Sequence, residues 1–175
     1  MNGNLTTQGE MADEELFFKW SPEYSVNIET IDAQHQELVH ILNRLFIAVS
    51  KREGDKVIAG ILDALIDYTK THFALEERLM QQAKYKDLEA HKLEHKKLIE
   101  ELDRLCKKHM IEEKPIYFEM LSFLKNWLKE HIQGVDKRYS ADLQNAGFAF
   151  AAWESEANAV FNAMVEKTGR WWKVW

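Results

Sequence analysis

The stretch His72-Phe73-Ala74-Leu75-Glu76, followed one helix later by His91-Lys92-Leu93-Glu94-His95, decides how this 175-residue chain is read. Residues four apart share one helix face, so each stretch aims two metal-ligating side chains at one point. Apolar residues recur at helical spacing around both. Ile58, Ile61, Leu62, Leu65, Ile66, Phe73 and Leu79 accompany the first pair, and Leu88, Leu98, Leu102 and Leu105 the second. Polar groups on such a stripe are costly unless satisfied, and coordination of a cation would satisfy them together.

Two further amphipathic segments flank this pair. From Asp32, the residues Leu38, Ile41, Leu42, Leu45, Phe46 and Val49 form a stripe that ends at Gly54 and carries His35 near its start. The second helix opens after Gly54 with Asp55 as its cap and runs to about Lys84. Asp87 caps the third, which runs to about Ile111. Pro115 sits at the first turn of the fourth, which holds Phe118, Leu121, Leu124, Leu128, His131 and Ile132. Short connections between helices of about 20 to 30 residues predict an all-α, up-down-up-down four-helix bundle. Residues 1–18 read as a flexible N-terminal arm, with order starting at Phe17, Phe18 and Trp20. Residues 19–140 read as the bundle and 141–175 as a C-terminal helical extension.

The fourth helix adds His131 and Asp136. Five residues at 3.6 per turn put them about 140° apart, which suits a carboxylate bridging two ions better than two ligands of one ion. Gly134, between them, is expected to loosen the turn. His35, His72, Glu76, His91, His95, His131 and Asp136 then form the donor set of a two-metal site. His40 and His109 have no partner at ligand spacing and read as ordinary solvated residues.

Composition excludes several classes. An apolar fraction of 46%, a charged fraction of 30% and only two prolines suit a helix-rich soluble protein. A net charge of -6 argues against nucleic acid as a partner. Cys106, the single cysteine, reads as an idle reduced thiol. Glu10, Asp13, Glu14 and Glu15 stand where a signal peptide would be basic and then apolar. No stretch approaches the roughly 20 apolar residues of a membrane span, so the expected compartment is the cytoplasm.

With these motifs in order, the chain resembles a bacterial hemerythrin over about residues 20–140. That family's pattern is one histidine on the first helix, H-x-x-x-E on the second, H-x-x-x-H on the third and H-x-x-x-x-D on the fourth. Trp20 with Tyr24-Ser25-Val26, the run Ile31-Asp32-Ala33-Gln34-His35, the run Trp127-Leu128-Lys129-Glu130-His131, and Tyr139 add to the likeness. The resemblance implies two non-haem iron ions with an oxo or hydroxo bridge. It places His91, His95 and His131 on one ion, His35 and His72 on the other, and Glu76 and Asp136 across both. Five imidazoles, four carboxylate oxygens and a bridging solvent oxygen leave one of the twelve positions of two octahedral ions open. The implied function is reversible dioxygen binding by a carrier, store or delivery protein, not an enzyme. The alternative is a module sensing oxygen, nitric oxide or iron through its C-terminal extension. Leu128, one turn before His131, matches the family position that covers the oxygen pocket.

The chain continues beyond the span of that likeness. Trp153, Ala157, Phe161, Val165 and Thr168 predict a fifth amphipathic helix that stops near Gly169. Residues 148–175 are therefore expected to be a contact surface. The bundle itself, a second copy, another protein, or a membrane surface reached through Lys167, Arg170, Lys173 and the nearby tryptophans are its candidate partners.

Overall fold

The computed structural model describes the backbone of residues 16–112 and 116–168. Most of the expected arm, the placement of Pro115, the stop at Gly169 and the final tryptophans lie outside the described residues, as do the side chains of His109, Val165 and Thr168. Helix α1 spans Glu29–Ser50, α2 Asp55–Gln82, α3 Leu88–Glu112 and α4 Tyr117–His131. A π-helical turn, Ile132–Asp136, joins α4 to α5, Lys137–Asn145, so the fourth rod runs unbroken from Tyr117 to Asn145. Helix α6 follows at Ala151–Thr168. Among the described residues there is no strand, and no helix is long and apolar enough to cross a membrane. Helices α1 and α3 each pack against α2 and α4, which closes the four rods into the expected all-α bundle with one added helix.

Several boundaries differ from the sequence reading for identifiable reasons. Helix α1 starts at Glu29, not Asp32, and the Asp32 carboxylate instead accepts the Ser25 hydroxyl at 2.6 Å and the Val26 N–H at 2.8 Å. That carboxylate therefore ties down the chain entering the helix. Gly54, not Asp55, is the N-cap of α2; its φ of 94° is left-handed and favours glycine, and its carbonyl accepts the first N–H groups of the helix. Phe118 departs from the predicted stripe and is 59% exposed, while Met120 takes the buried position beside Leu121 and Leu124. The fourth rod continues past residue 140 to Asn145.

The N-terminal segment is clamped to the bundle. Phe18 is buried, and its backbone N–H and C=O both pair with the side-chain amide of buried Asn43 at 2.8 Å. Phe17 stacks on Phe46 with ring centres 4.7 Å apart. Gln144 on α5 donates to the carbonyls of Val26 and Asn27, which joins the end of the fourth rod to the loop before α1.

Helix α6 folds back on the bundle. Trp153 and Ala157 are fully buried, and the Trp153 indole N–H donates to the Leu75 carbonyl of α2 at 2.9 Å. Phe161 packs on Tyr68 at 5.0 Å, and Arg78 pairs with Glu156. The described part of the extension thus docks within its own chain.

Candidate metal centre

All seven side chains singled out in the sequence meet in the bundle interior, each at least 96% buried. Helix α1 brings His35, α2 brings His72 and Glu76, α3 brings His91 and His95, and the fourth rod brings His131 and Asp136. The π turn explains how the last two converge. An i→i+5 hydrogen-bond pattern widens the turn to about 4.4 residues, so five residues bring Asp136 to about 50° from His131. The 140° separation expected of a regular α-helix does not occur, and His131 Nε2 lies 3.1 Å from Asp136 Oδ1. A Cβ on Gly134 would meet nothing within 4 Å, so no close approach requires glycine there.

The donor atoms fall into two groups that share Glu76. His91, His95, His131 and Glu76 form one, and His35, His72 and Glu76 the other. In the first, His91 and His95 present Nε2 atoms 3.0 Å apart, and His95 and His131 3.2 Å apart. For a metal–imidazole bond of about 2.1 Å, cis donors lie about 3.0 Å apart on an octahedron and about 3.4 Å apart on a tetrahedron. Both separations are those of neighbouring donors on a single ion. Glu76 Oε2 lies 3.3 Å from His95 Nε2 and 3.6 Å from His72 Nε2, on opposite sides of the cavity. Asp136 also reaches both ways, with Oδ1 3.6 Å from His91 and Oδ2 3.5 Å from His35.

Electrostatics agree with a cation site. Burial lowers His35 to about 4, and His72 and His131 to about 3, which keeps these imidazoles neutral with lone pairs free near pH 7. Burial and the Glu76 charge hold Asp136 well above the usual carboxylate range. Burial pushes Glu76 up as well, but the facing imidazoles of His72, His91 and His95 pull it below that range. Two carboxylates in one dry cavity cannot both stay charged without positive charge between them. Glu76 Oε2 and both Asp136 carboxylate oxygens are buried without a hydrogen-bond partner, and so is His35 Nδ1. Orphaned atoms of this kind need a partner, and metal ions would supply one to both carboxylates.

A supporting layer holds the donors in place. His72 Nδ1–H donates to Gln34 Oε1 at 2.8 Å, and His95 Nδ1–H to Glu77 Oε1 at 2.9 Å, leaving both Nε2 atoms for the cavity. The Tyr139 hydroxyl donates to Glu76 Oε1 at 2.7 Å. Phe73 stacks on His95 at 3.6 Å and Trp127 on His131 at 4.2 Å, fixing both ring planes. The sequence reading missed these roles, because partners on different helices leave no spacing signal. The Glu76-Glu77 doublet was the one local hint.

Next to the site, a cavity of about 20 Å³ is lined by His35, His72, His131 and Asp136 and by the leucines Leu42, Leu98 and Leu124. That volume holds about one water-sized molecule. Leu128, only 8% exposed, lines it, as does Thr69, whose hydroxyl is committed to the Leu65 carbonyl at 2.7 Å. His40 is exposed as expected, and burial raises the half-buried Cys106 thiol above its ordinary range, consistent with an idle cysteine.

Fold and site together define a helical bundle built around a buried histidine and carboxylate centre for two cations. Residues 26–143 match the family model described as the hemerythrin HHE cation binding domain, and the chain belongs to the hemerythrin family. It is 37% identical over 117 residues to a bacteriohemerythrin of Methylococcus capsulatus, covering 67% of this chain and 88% of that protein. A bacteriohemerythrin of Stenotrophomonas maltophilia is 32% identical over 121 residues, 69% of this chain and 78% of the relative. Myohemerythrin-1 of Phascolopsis gouldii is 31% identical over 126 residues, 72% of this chain and 94% of that one. The crystal structure of a wild-type hemerythrin superposes with a TM-score of 0.64 at 35% identity, covering 71% of this chain and 96% of that chain. The cofactor of this family is a non-haem diiron centre, and the cluster described above is a donor set that can hold metal.

Proposed function

We propose that the protein binds dioxygen reversibly at a diiron centre, as a cytoplasmic carrier, store or delivery protein without catalytic turnover. His91, His95 and His131 would hold one ion, His35 and His72 the other, and Glu76 and Asp136 would serve both. The chemistry such a centre supplies when bound is a two-electron exchange with dioxygen. The observation that carries the reading is the leucine-lined cavity, which touches His35 and His72 of one donor group and His131 of the other and has room for one small molecule. Leu128 and its neighbours exclude water there, and the Thr69 hydroxyl, bonded to its own helix, offers the cavity little polarity. Five imidazoles to two carboxylates make a nitrogen-rich site, which favours binding over the oxidation chemistry of carboxylate-rich diiron proteins.

The test is the optical spectrum of the reduced, iron-loaded protein through repeated cycles of air and its removal. A charge-transfer band that appears and disappears over several cycles supports the binder. One-way decay to the ferric form with consumption of a substrate overturns it.

A second reading, sensing through the extension, is favoured by one contact. Trp153 of α6 bonds the carbonyl of Leu75, the residue before Glu76, so a change at the site has a short path to the tail. Sensing predicts that protease cleavage between α5 and α6 differs between oxygenated and deoxygenated protein. A carrier predicts equal cleavage.

A further inference from the structure

The doublet Glu76-Glu77 divides its two carboxylates between different tasks. Consecutive helical residues point about 100° apart, so Glu76 faces the bundle axis while Glu77 points toward α3. There Glu77 Oε1 receives the Nδ1–H of His95 at 2.9 Å, with its own side chain 29% exposed at the edge of the bundle. Phe73, one turn earlier on α2, covers the face of the same ring at 3.6 Å. His95 is therefore gripped by α2 at its back and its face, and its Nε2 is left toward the site. The backs of the other imidazoles on α1 and α2 differ. His72 donates to the neutral amide of Gln34, and His35 Nδ1 has no partner.

We infer that Glu77 is a positioning residue that fixes His95 in the Nδ1–H tautomer and, through its negative charge, makes it the more electron-donating histidine. This rests on the proposed diiron reading for its effect on iron, but not for the tautomer. A carboxylate behind an imidazole orients the ring and raises its basicity, and loss of such a partner commonly weakens metal binding about 10- to 100-fold. The two ions are then held unequally. The one with three histidines would carry the donor backed by a carboxylate and gain more from the ferric state, while the other would have only the amide-backed His72 and the unpartnered His35.

Two variants separate charge from geometry. Glu77→Gln keeps an oxygen that accepts from Nδ1–H and removes the charge; Glu77→Ala removes both. In metal-free protein, imidazole nitrogen NMR should show His95 as the Nδ1–H tautomer in wild type and E77Q, and as a mixture or the other tautomer in E77A. Titration with ferrous ion should show E77A weakened about 10- to 100-fold, and E77Q weakened less. The midpoint potential of iron-loaded E77Q should rise above that of wild type, which a purely structural role would not produce. Retention of the Nδ1–H tautomer in E77A overturns the positioning role, and an unchanged potential in E77Q overturns the tuning role. If wild type takes up no ferrous ion, the diiron reading fails, and the NMR comparison still decides whether Glu77 sets the tautomer.

Discussion

Replacing Tyr139 by Phe should destabilise the metal-free protein far more than the metal-loaded protein. Tyr139 is fully buried, and its hydroxyl is the hydrogen-bond donor to Glu76 Oε1, while Glu76 Oε2 has no partner. Burial, with the Glu76 and Asp136 charges behind it, raises the phenol well above its ordinary range, so it remains a donor at every working pH. Without the hydroxyl, Oε1 faces a ring edge, and the space left is smaller than the roughly 10–15 Å³ that a water needs. A hydrogen bond to a charged group contributes about 1.5–3 kcal/mol, so Tyr139→Phe should cost the metal-free protein about 2 kcal/mol. For a chain of this size, that lowers the melting temperature by about 4–8 °C. Bound cations would satisfy the same carboxylate, so the difference should shrink on metal loading. Urea and thermal denaturation of both proteins, with and without iron, measure it. Metal-free stabilities within about 0.5 kcal/mol of each other, the size of an ordinary neutral substitution, would refute the reasoning. So would a larger difference with metal than without.

Leu128→Ala should speed autoxidation by opening the dry cavity, while costing the bundle about 2–5 kcal/mol without loss of helicity; an unchanged autoxidation rate removes Leu128 from the pocket role. Metal-free protein should lose stability as pH falls from about 6.5 toward 4, because His35, His72 and His131 are lowered to about 4, 3 and 3 in the fold and the unfolded chain takes up protons first. Three such protons give a slope of at most roughly 4 kcal/mol per pH unit, and a flat urea midpoint across that window contradicts their burial as neutral groups. Trp153→Ala removes a fully buried indole and its bond to Leu75. It should cost up to about 3–5 kcal/mol or release α6, read as faster proteolysis between Asn145 and Ala151.

What the sequence made legible depended on whether a contact was local in the chain. Pairs at i, i+4 such as His72 with Glu76 share a face by helix geometry alone, so the ligand-bearing faces and the four-rod plan could be read directly. The His131 to Asp136 step could not, because its outcome depended on the π turn at Ile132–Asp136, and a five-residue interval is ambiguous between regular and widened helix. Gly54 was taken as a terminator although its left-handed φ makes it the N-cap of α2. Phe118 was assigned to the core by spacing, but it points away from the bundle and is exposed, while its neighbours Tyr117 and Glu119 meet Asp55 of α2 and Lys108 of α3. The roles of Gln34, Glu77 and Tyr139 were not legible, although Gln34 and Tyr139 counted toward the family likeness, since each partner sits on another helix and only the folded bundle brings them together.

These observations bear on why so polar a cluster can occupy the centre of a leucine core. The imidazoles of His35, His72 and His131, kept neutral by burial, cost the fold little beyond their missing water contacts, and Gln34 and Glu77 give the ring N–H groups of His72 and His95 a partner. The carboxylates are the costlier component, because burial acts against the charge on both, the Glu76 charge adds to it at Asp136, and Glu76 Oε2 and both Asp136 oxygens have no hydrogen-bond partner. The protein therefore leaves the carboxylate oxygens in the shared space between the two donor groups without a partner, while Glu76 Oε1 and the Nδ1 atoms of His72 and His95 have one. An arrangement selected for stability alone would have filled those positions with apolar side chains, as Leu42, Leu65 and Leu124 do one layer along the bundle. That three carboxylate oxygens, Glu76 Oε2 and both of Asp136, stand without a partner in the shared space is what makes the centre a receptor for positive charge and not a flaw in the core.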